Sequence, residues 1–470
     1  MSRFLLRAAA AAAALAFASV PALAQTERAA FPELRLAEAG ASGQRAIDLL
    51  GDKLEAVAKF YKRSPQALRD MLLRDPLVRL DRSGRLYVVE ELDHPLPSDD
   101  SKNFVEGAAP APLDNTFLLH SRPGAKRTIY LDFNGAVIQN TAWNSNGNTI
   151  NAQAFDFDGN VNAFSAAELE RIQYIWQRVA EDYSPFDIDV TTEQPPADKL
   201  TRASDADDVY GTTAVITNHN GVYNCSCGGV AYVGVYDNVG DYYKPALVFW
   251  DMLGTGNEKY VAEATSHEVG HNLGLSHDGT SQVGYYGGHG DGETGWAPIM
   301  GVGYYKNTVQ WSQGEYTDAN NKEDDIVVIG SNGGILRKDD HGNGIAKATA
   351  LTTSPNGQNI NLSGKGVIER RKDKDAFSFS AKAGAGSVTV TPDTRSANLD
   401  VLVKILKADG TVLAKAKPDT TLAATVTFTL PSAGKYYVVV DGVGHATPTT
   451  GYSDYGSLGQ YAITGTVPAP

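Results

Sequence analysis

The chain has 470 residues, two of them cysteines, and a formal charge of −14; 42% of its residues are hydrophobic and 20% charged. That length is too great for one core and suits two or three domains. The acidity argues against nucleic acid or an anionic membrane as main partner, and the composition is that of a folded chain rather than a disordered one.

Arg3 and Arg7 flank an apolar start, an alanine-rich run follows, and Ala22-Leu-Ala24 is a small-residue cleavage site. Residues 1–24 therefore read as an export signal, and nothing later is long and apolar enough to span a bilayer. The expected product is secreted, to the medium or the periplasm, with no membrane span in its mature form. Residues 25–115 are charged and helical in flavour, with Leu49-Leu50, Leu54, Val57 and Phe60-Tyr61 at helical spacing, before a strand at Leu86-Tyr-Val-Val-Glu90. Pro95 to Leu113 is a linker by composition, and the segment before it reads as a pro-segment.

Residues 116–330 follow an α/β order. Arg127-Thr-Ile-Tyr-Leu-Asp-Phe133 is a strand; Ser165-Ala-Ala-Glu168 is a capping box. Leu169, Ile172, Trp176, Val179 and Tyr183 form the apolar stripe of a long helix that packs on a sheet. Strands are predicted at 186–192, 213–217, 229–234 and 246–250, then a helix from about Asn257. Cys225 and Cys227 can close a small disulfide, stay reduced or bind metal; in an exported protein a disulfide is the expectation.

That last helix carries His267-Glu-Val-Gly-His-Asn-Leu-Gly-Leu-Ser-His-Asp278. His267 and His271 are four apart and share a helix face, so both reach one ion. Gly274 can take a positive φ and turn the chain back, which brings His277 round as a third ligand. Three imidazoles suit one catalytic Zn²⁺ with a position left open for water. Glu268, not needed as a ligand, stands where it can take the water's proton and return it to a leaving amine. This stretch resembles the metzincin metallopeptidases, and Gly270-His-Asn-Leu-Gly274 with Asp278 is most similar to their reprolysin (adamalysin) branch.

The resemblance implies a secreted zinc endopeptidase made as a zymogen, with protein or peptide substrates. It also implies that the strand at 229–234 is an edge strand to which extended peptide adds. Trp296-Ala-Pro-Ile-Met-Gly301 resembles the family's Met-turn, with Met300 beneath the zinc. Val302 stands where some branches carry a zinc-facing tyrosine, and neither Tyr304 nor Tyr305 is assigned as a ligand; His289 and His219 read as loop residues. Many metzincins are held latent by a cysteine, but there is none before Cys225, so an inhibitory pro-segment needs another group, such as an aspartate, or steric cover.

Residues 331–353 form a linker in which Asp339-Asp-His-Gly-Asn-Gly344 has the flavour of a Ca²⁺ loop. From 354 to 470, short strands alternate with turns, which predicts a separately folding β-sandwich that is not needed to cut small peptides. Asp375-Ala-Phe-Ser-Phe379 and Gly434-Lys-Tyr-Tyr-Val-Val-Val440 resemble the bacterial pre-peptidase C-terminal domain. The predicted fold class is thus α+β: a metzincin-type domain, with a twisted sheet and a zinc helix, then a C-terminal β-sandwich. The rival reading is a metzincin-fold binding or adhesion protein, weak or inactive in catalysis, that acts through its sandwich.

Overall fold

A computed structural model describes residues 28–92, 96, 109–145 and 147–470. The export signal expected at 1–24 and most of the linker expected from Pro95 to Leu113 lie outside the described residues. Among those described, no helix is long and apolar enough to cross a membrane.

The N-terminal segment forms α1 (Gly43–Leu50), α2 (Leu54–Phe60) and α3 (Pro65–Arg74). Ser64 caps α3 by accepting from the backbone N–H of Ala67, and Pro65 takes the first helical position, where a missing N–H costs nothing. Two strands follow, β1 (Val78–Leu80) and β2 (Leu86–Glu91). The helices enclose a small core of their own, including Leu50, Val57, Leu68 and Leu72. Val78 and Leu80 of β1 and Leu86 and Val88 of β2 belong to the same core, while the strands also pair outward.

The catalytic segment supplies β3 (Arg127–Asp132), the hairpin β4 (Ala136–Ile138) and β5 (Ile150–Ala152), and α4 (Ala166–Asp182). It continues with β6 (Ile188–Thr191), β7 (Tyr210–Thr217), β8 (Cys227–Tyr232), β9 (Ala246–Phe249) and α5 (Glu258–Asn272). The capping box at α4 is present: Ser165 Oγ accepts from Glu168 N while the Glu168 carboxylate accepts from Ser165 N at 2.8 Å. One seven-stranded sheet runs β1-β2-β8-β9-β7-β3-β6. Strands β6, β3, β7 and β9 are parallel and β8 is antiparallel to β9. Strand β2 then pairs antiparallel with β8. The N-terminal segment thus extends the catalytic sheet over the edge that β8 would otherwise expose.

Every residue of α5 is buried, with strands β7, β8 and β9 and the helix α4 packed against it. Several of its polar residues are bonded within the protein: Thr265 Oγ1 donates to Val261 O (2.6 Å), Ser266 Oγ to Asp182 Oδ2 (2.6 Å) and Lys259 Nζ to Glu263 Oε1 (2.7 Å). The short parallel pair β10 (Trp296–Pro298) and β11 (Thr308–Gln310) and the helix α6 (Asp325–Ser331) complete this region.

The C-terminal domain packs two five-stranded sheets face to face. One contains β12 (Thr349–Ala350), β15 (Lys374–Ala381), β17 (Val401–Leu406), β18 (Val412–Ala416) and β20 (Gly434–Gly442). The other contains β13 (Thr352–Asn356), β14 (Asn359–Ile368), β16 (Gly384–Pro392), β19 (Ala424–Leu430) and β21 (Gly459–Pro468). Val401, Val403 and Ile405 alternate inward on β17, as Ala424, Val426, Phe428 and Leu430 do on β19, and together they fill the interior.

The sandwich has its own core but is bound closely to the catalytic domain. Glu258, at the start of α5, accepts from Arg178 Nη2 (3.0 Å) and from Arg395 Nη1 of the sandwich (2.8 Å), and all three are buried. Asn398 donates to Asp182 (2.8 Å), and the Gln460 backbone donates to Glu181 (3.0 Å). The sequence leads one to expect a sandwich that folds separately; a buried polar seam nonetheless joins it to the first turn of α5 and the end of α4. Arg395→Ala should lower the unfolding free energy by about 1.5–3 kcal/mol, the range for a buried hydrogen bond to a charged group. Urea denaturation measures it, and unchanged stability would mean that the seam is not a structural tie.

Candidate metal centre

Asn257 caps α5 by accepting from the N–H groups of Lys259 (3.0 Å) and Tyr260 (3.2 Å), so the helix starts where its sequence predicts. It ends at Asn272. Gly274 takes φ +96°, the left-handed conformation a turn-back needs, and Leu275 N donates to Gly270 O at 3.0 Å. The reversal carries His277 back over His271.

The three imidazoles face one point. His267 Nδ1 lies 3.0 Å from Ile299 O, His271 Nδ1 2.9 Å from Leu275 O, and His277 Nδ1 2.6 Å from Asp75 Oδ2. An oxygen beside each outer nitrogen orients the ring and turns Nε2 toward the cluster. His271 Nε2 and His277 Nε2 are 3.1 Å apart. The Glu90 carboxylate of β2 joins them, with Oε1 2.9 Å from His277 Nε2, 3.2 Å from His271 Nε2 and 3.5 Å from His267 Nε2.

These residues fit a zinc ion. Bonds of about 2.0–2.1 Å at tetrahedral angles separate ligand atoms by roughly 3.3–3.4 Å, close to the spacings here. His267 Nε2 is buried with no hydrogen-bond partner, as a nitrogen aimed at a cation would be. Burial pushes the His271 pKa down to about 4, which keeps that ring neutral and ligating. Burial also lowers that of His277, but the carboxylates of Asp75 and Glu90 outweigh it and carry it well above the ordinary value.

Glu268 is fully buried beside the imidazoles, and neither of its carboxylate oxygens has a hydrogen-bond partner. Burial, then repulsion from Glu90, holds its pKa well above the usual carboxylate range. Its position depends on Gly229 of β8, where a Cβ would lie 2.1 Å from Glu268 Oε1. Met300 is buried, its sulfur filling the space that a Cβ on Gly270 would need. Asp278 is buried, its backbone N–H donating to Met300 O at 2.7 Å, which ties the third histidine to the turn below.

Cys225 and Cys227 are joined in a disulfide at the start of β8. His289 is engaged by Tyr286 and Gly451 O, and His219 by Asp251; neither belongs to the cluster. Three residues at the centre escape sequence reasoning. Glu90 and Asp75 come from the N-terminal segment, and Tyr285, from the glycine-rich loop after the histidines, donates its hydroxyl to Glu90 Oε2.

A second acidic group lies where the linker meets the sandwich: Asp339, Glu369 and Asp373 bring carboxylate oxygens within 4.8 Å of one another. Glu369 is fully buried with no hydrogen-bond partner on either oxygen, and Arg337 is 3.8 Å away. Burial and the neighbouring Asp373 raise its pKa to about 9.

Residues 169–278 match the reprolysin-like metallopeptidase family M12B, and residues 373–442 match the bacterial pre-peptidase C-terminal domain. The chain therefore carries a reprolysin-like M12B metallopeptidase domain followed by a domain typical of secreted bacterial peptidases. No curated protein matches it. Among solved structures, the pre-peptidase C-terminal domain of a Bacillus anthracis collagenase is 16% identical, covering 25% of this chain and 94% of its own, at TM-score 0.18. PliG from Aeromonas hydrophila, a periplasmic inhibitor of g-type lysozyme, is 14% identical over 26% of this chain and 94% of its own, at TM-score 0.17. OgpA from Akkermansia muciniphila is 14% identical over 49% and 54% of the two chains, at TM-score 0.12.

Proposed function

We propose that the protein is an exported zinc endopeptidase, synthesised with residues 25–115 as a pro-segment, that hydrolyses peptide bonds of proteins with Glu268 as general base. The observation that carries this reading is the convergence of three imidazole nitrogens beside a buried carboxylate with no partner of its own. A scaffold that only binds has no use for such a carboxylate, whose burial costs free energy.

His267, His271 and His277 would hold the zinc, whose Lewis acidity polarises a carbonyl and lowers the pKa of water toward about 7. The raised proton affinity of Glu268 suits it to take a proton from water in the cleft and pass it to the leaving nitrogen. With β2 removed, strand β8 would offer its outer backbone groups to an extended peptide, which would lie antiparallel to it with the scissile bond near Glu268. The test is digestion of casein by zinc-loaded protein trimmed between β2 and Leu113. Digestion should stop with chelator and return with zinc; zinc-loaded, folded protein that leaves casein intact would oppose the reading.

We also propose Ca²⁺ at Asp339, Glu369 and Asp373, because a fully buried carboxylate facing two others calls for a cation. Calorimetry should show Ca²⁺ binding that Glu369→Gln abolishes. At a hundredfold excess over Kd the gain in stability would be about 2.7 kcal/mol. No binding heat, and no shift in melting temperature with Ca²⁺, would refute this site.

A further inference from the structure

We propose that Glu90 is the fourth ligand of the metal centre, and that β2 keeps the peptidase latent by lying where an extended substrate would pair. The proposal rests on the zinc peptidase reading of the same site.

The placement of Glu90 is built. Strands β2 and β8 pair antiparallel with Tyr87 opposite Tyr232 and Val89 opposite Val230, but the next pair is Glu91 with Cys227. Two residues of β8, Gly228 and Gly229, therefore stand opposite the single residue Glu90. A bulge re-aims the side chains around it, and here Glu90 turns from the line of the sheet into the histidine cluster. Its Oε1 comes within 3.5 Å of all three Nε2 atoms, while Oε2 accepts from Tyr285.

An ordinary structural strand would not put a carboxylate there. Glu90 brings a second negative group to the buried Glu268, which has no hydrogen-bond partner to offset it. A cation held among the imidazoles would offset both negative groups. With Glu90 as ligand, a tetrahedral ion has no position left for water or a carbonyl oxygen. Strand β2 also uses up the pairing groups of β8 that a peptide would need. Latency thus needs neither a cysteine nor an aspartate.

The rest of the N-terminal segment anchors this strand around the site. Asp75, just after α3, holds His277 Nδ1 at 2.6 Å. Arg63 donates to Gly274 O (3.1 Å) and Ser276 Oγ (2.9 Å) and pairs with Glu323, gripping the loop between the second and third histidines. Arg28 pairs with Asp237 at 2.9 Å, beyond the end of β8. Removing the segment would release Glu90, uncover β8 and free the loop together.

The test uses the full chain loaded with Co²⁺ in place of zinc, comparing wild type with Glu90→Gln, and with Glu90→Asp in case the amide folds poorly. The visible absorption of Co²⁺ should change in both variants, and metal loss to a chelator should quicken at least about tenfold, as for other lost contacts at metal sites. Hydrolysis of a quenched fluorescent peptide by zinc-loaded Glu90→Gln should exceed that by wild type at least about tenfold. Unchanged spectra and unchanged metal loss in both variants would overturn the ligand assignment. A changed spectrum with wild-type hydrolysis, alongside an active trimmed protein, would remove Glu90 from latency and leave it to β2. A changed spectrum with no hydrolysis by any variant or by trimmed protein would instead defeat the peptidase reading and leave the ligand in place.

Discussion

Glu268→Gln should lower peptide hydrolysis by trimmed, zinc-loaded protein by about 10²–10⁴-fold while metal content stays the same. The amide keeps the volume that Gly229 accommodates but is not basic enough to take a proton from water. In the trimmed protein His267 and His271 are oriented by Ile299 O and Leu275 O, neither of which involves Glu268, so the metal should remain. In the metal-free full chain the same change should leave stability unchanged or raise it: burial and the neighbouring Glu90 raise the proton affinity of Glu268, so its ionised form costs stability above the pH at which an unfolded glutamate titrates, and glutamine removes that cost. Hydrolysis and zinc content are to be measured on one preparation. A zinc-loaded variant as fast as the parent would take Glu268 out of the mechanism.

His271→Ala should weaken zinc binding at least about a hundredfold, since even outer-shell changes cost about 10–100-fold. His271 is fully buried on α5, and in trimmed protein, which lacks Glu90 and is the form to be tested, the described histidines outside the cluster offer no replacement: His289 and His219 are engaged elsewhere. Dialysis against dilute chelator followed by elemental analysis should find the variant empty and the parent loaded with one zinc. Circular dichroism would confirm that α5 persists, as its cap and its bonds to Asp182 and Arg395 do not involve the histidine. Full zinc in a folded His271→Ala protein would refute the ligand set.

The metal centre was largely legible because its chemistry is local. His267, His271, Gly274 and His277 lie within one helix and one turn, where 3.6 residues per turn and a positive φ fix their relation. The alternation of the sandwich strands was legible for the same reason: it is a property of each strand alone. What stayed hidden depends on pairing between distant segments. Glu90 and Glu91 are adjacent and chemically alike, and only the bulge in β8 decides which one enters the histidine cluster. Leu86 to Glu90 reads correctly as a strand, but nothing in its pattern shows that it joins the sheet more than a hundred residues downstream. Tyr285 lies in a glycine-rich loop without spacing to either motif. The tie between the sandwich and α5 was hidden too, since Arg178, Glu258 and Arg395 look like surface charges until the fold buries them together.

Mass-spectrometric mapping of cuts in a peptide library is the most direct measurement. It should use purified, zinc-loaded protein, both as the full chain and after trimming of its N-terminal segment. Trimmed protein should cut internal peptide bonds at a consistent set of sites, the full chain far more slowly, and both should fall silent with chelator or as Glu268→Gln. A folded, trimmed protein with one zinc at His267, His271 and His277 that makes no chelator-sensitive cut would contradict the assignment of this site as a peptidase.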